Sequence, residues 1–272
     1  MKNLECCVCN TLDHSKFYKN VEGYDLLRCS NCTLIYLSKV HVENQSFISD
    51  TKNGAIEYWS IPKLFYKHRK VFEFYFNQRL SRLLTFKPPS GPLLDVGFGY
   101  GFWANFLQER DYDVHGIEIS KEAFDYSNQH FSIFSELVSF EDFKTEQKFA
   151  AIFMFDVLEH FEKPELMLKK AYSMLLPGGV IYIQVPNVIG FRFPYGHNLG
   201  LPHHIWQFSP KTLKKLTKKN GFSSRRRLWT GIQGLTSIYE KGGPTFFTKM
   251  LWCTANTLKI GNRVQILCQK SA

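Results

Sequence analysis

From about residue 90 onward, short apolar runs alternate with longer stretches of mixed polarity, the pattern of buried strands joined by helices. Leu93-Leu94-Asp95-Val96 reads as a strand. It breaks into Gly97, Gly99 and Gly101 and passes into the helix-like run Phe102-Trp103-Ala104-Asn105-Phe106-Leu107. Asp113-Val114-His115-Gly116-Ile117-Glu118 reads as a second strand, Val180-Ile181-Tyr182-Ile183-Gln184-Val185 as the fifth, and Val264-Gln265-Ile266-Leu267 as the last. Upstream, Tyr58, Trp59, Leu64, Phe65, Val71, Phe72, Phe74, Tyr75 and Leu80 recur among basic residues. That spacing predicts one or two amphipathic helices with Pro62 as an early break, followed by a rigid hinge at Lys87-Pro88-Pro89-Ser90-Gly91-Pro92. Ser209 as N-cap, Pro210 in the first turn and Gly221 as a stop frame a lysine-rich helix whose charged side reads as a solvated face. An apolar helical insertion after Gly242-Gly243-Pro244, carrying Phe246, Phe247, Met250, Leu251, Trp252 and Leu258, suits core packing, then subunit pairing, then lipid contact.

The strand, glycine turn and helix call for a ligand lying over the carboxyl end of the strand, because glycines permit close backbone approach there. The spacing is G-x-G-x-G, whereas a dinucleotide fingerprint is G-x-G-x-x-G and seats a pyrophosphate on the helix N-terminus. Asp95, just before the turn, would repel a pyrophosphate but suits an ammonium group, directly or through water. S-adenosylmethionine, with a sulfonium, an amino-acid end and no phosphate, fits better than NAD. Glu118 closes the second strand where a ribose diol would need two acceptors. Glu141 and Asp142, near the end of the third strand, divide between contact with the adenine amino group and plain surface acidity.

With these elements in order, residues from about 90 to 187 resemble the core of the class I S-adenosylmethionine-dependent methyltransferases. The resemblance implies an α/β fold with a Rossmann-like, doubly wound, mostly parallel sheet. It also implies that Gly97, Gly99 and Gly101 line the cofactor, that Glu118 holds the ribose hydroxyls and that Ile119 flanks the adenine, with Asp95, Asp142 and Asp156 completing the cofactor set. Phe155-Asp156-Val157-Leu158-Glu159-His160 and Leu176-Pro177-Gly178-Gly179 continue the likeness. Phe98 departs from it, since the family more often has a small residue there.

Seven cysteines are present, and four form Cys6-x2-Cys9 and Cys29-x2-Cys32 with nineteen residues between the pairs. Paired C-x2-C turns aim thiolates at one tetrahedral ion, so a structural zinc ribbon is expected, with Phe17-Tyr18 and Leu34-Ile35-Tyr36-Leu37 as its strands. Four thiolates leave no open position for a water nucleophile, which disfavours metal-assisted hydrolysis by that ion. A zinc ribbon joined to such a core is similar to enzymes that methylate nucleotide-linked deoxysugars, and to a group that methylates ribosomal RNA.

Methyl transfer from a sulfonium has a neutral leaving group, so positioning supplies much of the catalysis and a base is needed only for a protonated nucleophile. His160, after the fourth strand, and His204, after the fifth, are the candidate catalytic residues. Sugar C-methyltransferases carry a Tyr-x-Glu-His element before an aromatic-Ser pair. Here Leu201-Pro202-His203-His204 precedes Phe208-Ser209; His204 matches but the tyrosine and glutamate do not, which turns the expectation from C- to O-methylation.

At 272 residues the chain suits one main domain with a small appendage. The expected division is a zinc ribbon over 1–40, a helical cap and linker over 41–90 and the cofactor-binding domain over 91–272. Apolar residues at 44%, with 25 phenylalanines and 13 tyrosines, supply ample core. The formal charge of +10 admits RNA, an acidic glycan, a nucleotide-linked sugar or a membrane surface as partner. The expectation is therefore a cytoplasmic methyltransferase of a small, sugar-like molecule, free or conjugated to a nucleotide or lipid. An RNA methyltransferase, a non-catalytic ribbon module and a homodimer stay open, and no segment reads as membrane-spanning.

Overall fold

A computed structural model describes residues 4–21, 23–39, 62–189, 199–222, 225–231 and 246–271. Three N-terminal strands, β1 (His14–Val21), β2 (Tyr24–Cys29) and β3 (Ile35–Leu37), precede the helices α1 (Pro62–Lys67) and α2 (Arg69–Leu84). The chain then alternates through β4 (Leu93–Val96), α3 (Phe102–Gln108), β5 (Val114–Glu118), α4 (Lys121–His130), β6 (Phe134–Leu137), β7 (Phe149–Phe155), α5 (Pro164–Met174) and β8 (Leu175–Pro186). It closes with β9 (Trp206–Gln207), α6 (Pro210–Lys219), β10 (Arg225–Gly231), α7 (Phe246–Leu258) and β11 (Arg263–Gln269). No described helix is long and apolar enough to cross a membrane.

The main sheet has the order β10-β11-β8-β7-β4-β5-β6. Strands β8, β7, β4, β5 and β6 run parallel, while β11 pairs antiparallel with both β8 and β10. The chain steps outward from β4 to β6 and then returns to β7 on the other side, so direction reverses between β4 and β7. In open α/β sheets a ligand crevice forms at the carboxyl ends of the strands where the winding switches. Residues alternate across the strands as period-two geometry requires. Ala151 and Phe153 pack with Phe76, Trp103 and Phe106 of α2 and α3, while Ile152 and Met154 pack with Leu168, Leu213 and Leu216 of α5 and α6. Covered on both faces, β7 reads as an unbroken apolar run.

Several expectations change. Pro62 is the first residue of α1, a position where its missing N–H costs nothing, and the residues before it lie outside those described. Strand β8 begins at Leu175, so Leu176-Pro177-Gly178-Gly179 lies inside it. The lysine-rich helix is α6, with a reciprocal cap between Ser209 and Thr212. One of its lysines is not merely solvated, since Lys219 Nζ donates to Val8 O at 3.1 Å and to Asn10 Oδ1 at 2.8 Å. The whole 41–61 linker with Tyr58 and Trp59, Gly242-Gly243-Pro244 and the side chains of Phe247 and Trp252 lie outside the described residues.

The N-terminal strands build a second sheet of order β1-β2-β3-β9, in which β9 comes from the C-terminal half of the chain. Tyr36 opposes Trp206 and Ile35 opposes Gln207 in that pairing. Cys6, Leu34 and Tyr36 share one continuous apolar cluster with Ile152, Phe208 and Leu213. The ribbon is thus built into the wall of the main domain.

Candidate functional site

At the switch point, Gly97 has φ +67°, and a Cβ there would meet Val157 Cγ2 at 2.7 Å, so this backbone needs glycine for both conformation and space. Gly99 N donates to Glu118 Oε2 at 2.8 Å, and Ile119 N and Ser120 N donate to Oε1 at 2.8 and 2.9 Å. A carboxylate has about four acceptor positions, so Glu118 keeps one for a ligand hydroxyl while it fixes the turn. Gly101 has a different task. Capping α3 with φ +82°, it lies against α4, where a Cβ would meet Ser127 Oγ at 2.5 Å. Phe98 is accommodated because Gly116 leaves room: a Cβ at residue 116 would lie 2.6 Å from the Phe98 ring.

A cavity of about 850 Å³ opens beside this turn. Gly97, Glu118, Ile119 and Asp142 line one part of it, and Asp156, His160 and His203 another. Gly99, Gly101, Asp95 and the candidate catalytic residue His204 are not among its lining residues. Asp142 is exposed and exchanges hydrogen bonds with Ser139, its Oδ2 accepting from Ser139 Oγ at 2.7 Å. Asp156, at φ +57°, accepts from Gln184 Nε2 at 2.6 Å. It also lies 3.0 Å from Arg263 Nε, an ion pair whose angle falls outside hydrogen-bond geometry. Both aspartates thus face the cavity with partners of their own.

Asp95 is 3% exposed, and burial pushes its carboxyl up to about 8, with Arg79 opposing the shift and Glu118 adding to it. The folded chain therefore holds a proton that the unfolded chain releases near pH 4, and stability falls as pH rises until about pH 8. Replacing Asp95 by Asn removes this ionisation cost. The melting-temperature gain of Asp95→Asn over wild type is expected to grow between pH 5 and pH 8 and to level off above; a difference independent of pH would contradict it.

Sequence reasoning placed His160 and His204 on separate loops, and the fold brings them together with ring centroids 4.7 Å apart. His160 ends the 3-10 turn Leu158–His160, and its Nδ1 lies 3.0 Å from the carbonyl of His203. A carbonyl only accepts, so Nδ1 carries the hydrogen and Nε2 keeps its lone pair. Burial pushes the His160 imidazole down to about 4, which keeps it neutral at pH 7 and makes it a weak general base. His204 packs onto Gly200, where any Cβ would meet its ring at 2.3–2.5 Å, and its N–H donates to Gly200 O at 2.8 Å. Glu159, named in the sequence only as part of the run from Phe155 to His160, directly precedes His160 and is fully buried. Only its place beside His160 marks it in the sequence, and no periodicity reveals its burial.

The sulfurs of Cys6, Cys9, Cys29 and Cys32 all lie within 4.8 Å of one another. Cys6 Sγ and Cys32 Sγ approach to 3.4 Å, and the N–H of Cys32 points at Cys29 Sγ at 3.5 Å. Adjacent Cys7 is buried outside this group, as the two-residue gap implied. Four soft donors converging on one point, with backbone support for a thiolate, fit a tetrahedral zinc ion.

A family model described as a methyltransferase domain matches residues 66–225 of the chain. An uncharacterized protein of Mycobacterium tuberculosis is 29% identical over 168 residues, covering 58% of this chain and 56% of its own length. The chain thus spans about half of that relative. A ubiquinone biosynthesis O-methyltransferase of Chromobacterium violaceum is 24% identical over 170 residues, covering 56% of this chain and 73% of that protein. Among solved structures, an S-adenosylmethionine-dependent methyltransferase of Thermotoga maritima superposes with a TM-score of 0.54 at 20% identity, covering 77% of this chain and 93% of that one. With the switch-point cavity, the glycine turn and the acid closing β5, the chain belongs to the methyltransferase domain family, in the class I S-adenosylmethionine-dependent fold.

Proposed function

We propose that the chain transfers a methyl group from S-adenosylmethionine to a hydroxyl of a small, sugar-like molecule, free or carried on a nucleotide or lipid. The observation that carries this reading is the single cavity joining Gly97, Glu118 and Asp142 to Asp156, His160 and His203. At the first end the residues suit a nucleoside: an acid with a spare acceptor for the ribose and Asp142 for the adenine amino group. At the second end, His160 receives the acceptor hydroxyl and orients it toward the methyl carbon, its ring held against that of His204. Positioning of this kind supplies most of the rate in a displacement with a neutral leaving group. The likeness to the Chromobacterium ubiquinone biosynthesis O-methyltransferase favours oxygen as the acceptor. A small molecule is favoured over RNA because the basic strand is engaged in packing: Arg225 donates to Thr85 O at 2.8 Å and Arg226 to Lys214 O at 3.1 Å. The four cysteines would hold a structural zinc, and thiols kept for a metal suit a reducing, cytoplasmic setting.

A transfer assay with labelled methyl donor across sugar, nucleotide-sugar, lipid-linked and RNA fractions tests the reading. Label is expected in a sugar-bearing fraction, and His204→Ala is expected to lower turnover by about 10²–10⁴-fold, the usual range for losing a group that assists proton removal. Label confined to RNA, or full turnover in His204→Ala, would overturn the substrate or the histidine's role respectively.

A further inference from the structure

The 139–143 turn between β6 and β7 is a single helical turn closed at both ends. Phe143 N donates to Ser139 O at 2.9 Å, and Asp142 N donates to Ser139 Oγ at 3.0 Å, which caps the start. At the other end three carbonyls converge on one ammonium. Lys170 Nζ, on α5, donates to Phe140 O at 2.6 Å, to Glu141 O at 2.9 Å and to Phe143 O at 2.6 Å. An ammonium has three hydrogens, so Lys170 has one for each of these carbonyls. Carbonyls at the end of a helical turn lack N–H partners, and the backbone dipole there favours a cation. Phe140 and Phe143 are buried, and Lys170 Nζ lies 5.2 Å from the centroid of the Phe140 ring. The turn is also tied to the ribose end of the site, since Val138 N donates to Glu118 O at 2.9 Å. Ser139, Phe140, Glu141 and Asp142 line the cavity, and Lys170 does not.

We propose that Lys170 is a positioning residue for base recognition: from outside the cavity it holds the 139–143 turn in the shape that presents Asp142 to the adenine amino group, and so sets the preference for adenine. This rests on the reading of Asp142 as the adenine contact. Asp142 Oδ2 accepts from Ser139 Oγ at 2.7 Å, which fixes the side chain, and a carboxylate with about four acceptor positions can take an amine as well. A carboxylate accepts from an exocyclic amine but repels a carbonyl oxygen in the same place. A fixed Asp142 therefore separates adenine from hypoxanthine, and a loosened turn lets the carboxylate move away from either. Methionine at residue 170 keeps the length of the side chain but leaves three carbonyls without their donor. Arginine keeps the charge, yet its planar fork does not converge on three carbonyls as an ammonium does.

The test is calorimetry of the full chain with S-adenosylhomocysteine and with S-inosylhomocysteine, which carries a carbonyl where the adenine has its amino group. Wild type is expected to bind the adenosyl ligand at least about tenfold tighter, the scale of one hydrogen bond to a charged group. Lys170→Met is expected to bring the two ligands within about threefold of each other, chiefly by weakening the adenosyl one, with Lys170→Arg in between. A general loosening of the fold would weaken both ligands together and keep their ratio. An unchanged ratio in Lys170→Met, or no preference in wild type, overturns the role; should Lys170→Met lose its melting transition, the ratio in Lys170→Arg decides in the same way. Asp142→Ala separates the two readings. A ratio lost in Asp142→Ala but kept in Lys170→Met removes Lys170 and leaves Asp142 as the adenine contact. The reverse result leaves Lys170 as the support of a base-reading turn and removes the Asp142 carboxylate from it.

Discussion

Glu118→Ala is expected to weaken S-adenosylmethionine and S-adenosylhomocysteine alike by about 1.5–3 kcal/mol, or roughly 10- to 150-fold in Kd. Two losses combine. The ribose loses a charged acceptor, and the N–H groups of Gly99, Ile119 and Ser120 lose the oxygens that now hold the turn at 2.8–2.9 Å. Glu118→Gln separates them, because an amide oxygen keeps part of the turn's support without the charge. It is expected to fall between wild type and the alanine variant. Calorimetry on variants with intact melting transitions decides the matter, and an unchanged Kd for both ligands in Glu118→Ala would remove Glu118 from the cofactor site.

The glycine turn, its flanking strands and the acid at residue 118 were legible because each is a local device: a positive φ, a buried apolar run, a strand-ending carboxylate. The capped lysine helix was legible for the same reason. What depended on contacts distant in sequence was not. Nothing local tells that Gly101 serves the packing of α3 on α4, or that Gly116 makes room for Phe98. The polar chain from Asp156 through Gln184 to Gln265, with Arg79, Arg82 and Tyr182 bonded to its glutamine oxygens, joins α2, β8 and β11 to the turn after β7. Each of those residues read singly is an ordinary polar position in a strand or helix. Glu159 is the sharpest case, since its burial follows from the 199–205 loop folding over the turn that carries it. The ribbon was legible as four candidate ligands but not as a support for the loop that carries His204, because β9 is only two residues long and carries no strand signal of its own.

That support leads to the largest effect expected from a change outside the cavity. In Cys29→Ser, Cys32→Ser, zinc content should fall by one ion per chain, and the melting temperature should drop by an amount reflecting several kcal/mol, since a unit this small folds on its metal. Turnover should then fall further than cofactor affinity. The thiolate pair anchors the turn between β2 and β3, and β3 holds β9 through the Tyr36–Trp206 pairing, with rings 5.4 Å apart and both side chains fully buried. Trp206 Nε1 in turn donates to Phe161 O at 2.8 Å, and Leu37 N donates to Ile205 O at 3.0 Å, beside His204. When the metal goes, the histidine loop loses its seat. The cofactor end rests on β4 and β5, which take their hydrogen bonds from the main sheet and not from the ribbon. S-adenosylhomocysteine affinity is therefore expected to stay within about threefold of wild type while turnover falls at least about 10²-fold, the scale on which misplacing a group near the chemistry costs rate. Unchanged zinc content would remove the four cysteines as ligands. Zinc lost with turnover intact would show that the His204 loop stands without the ribbon.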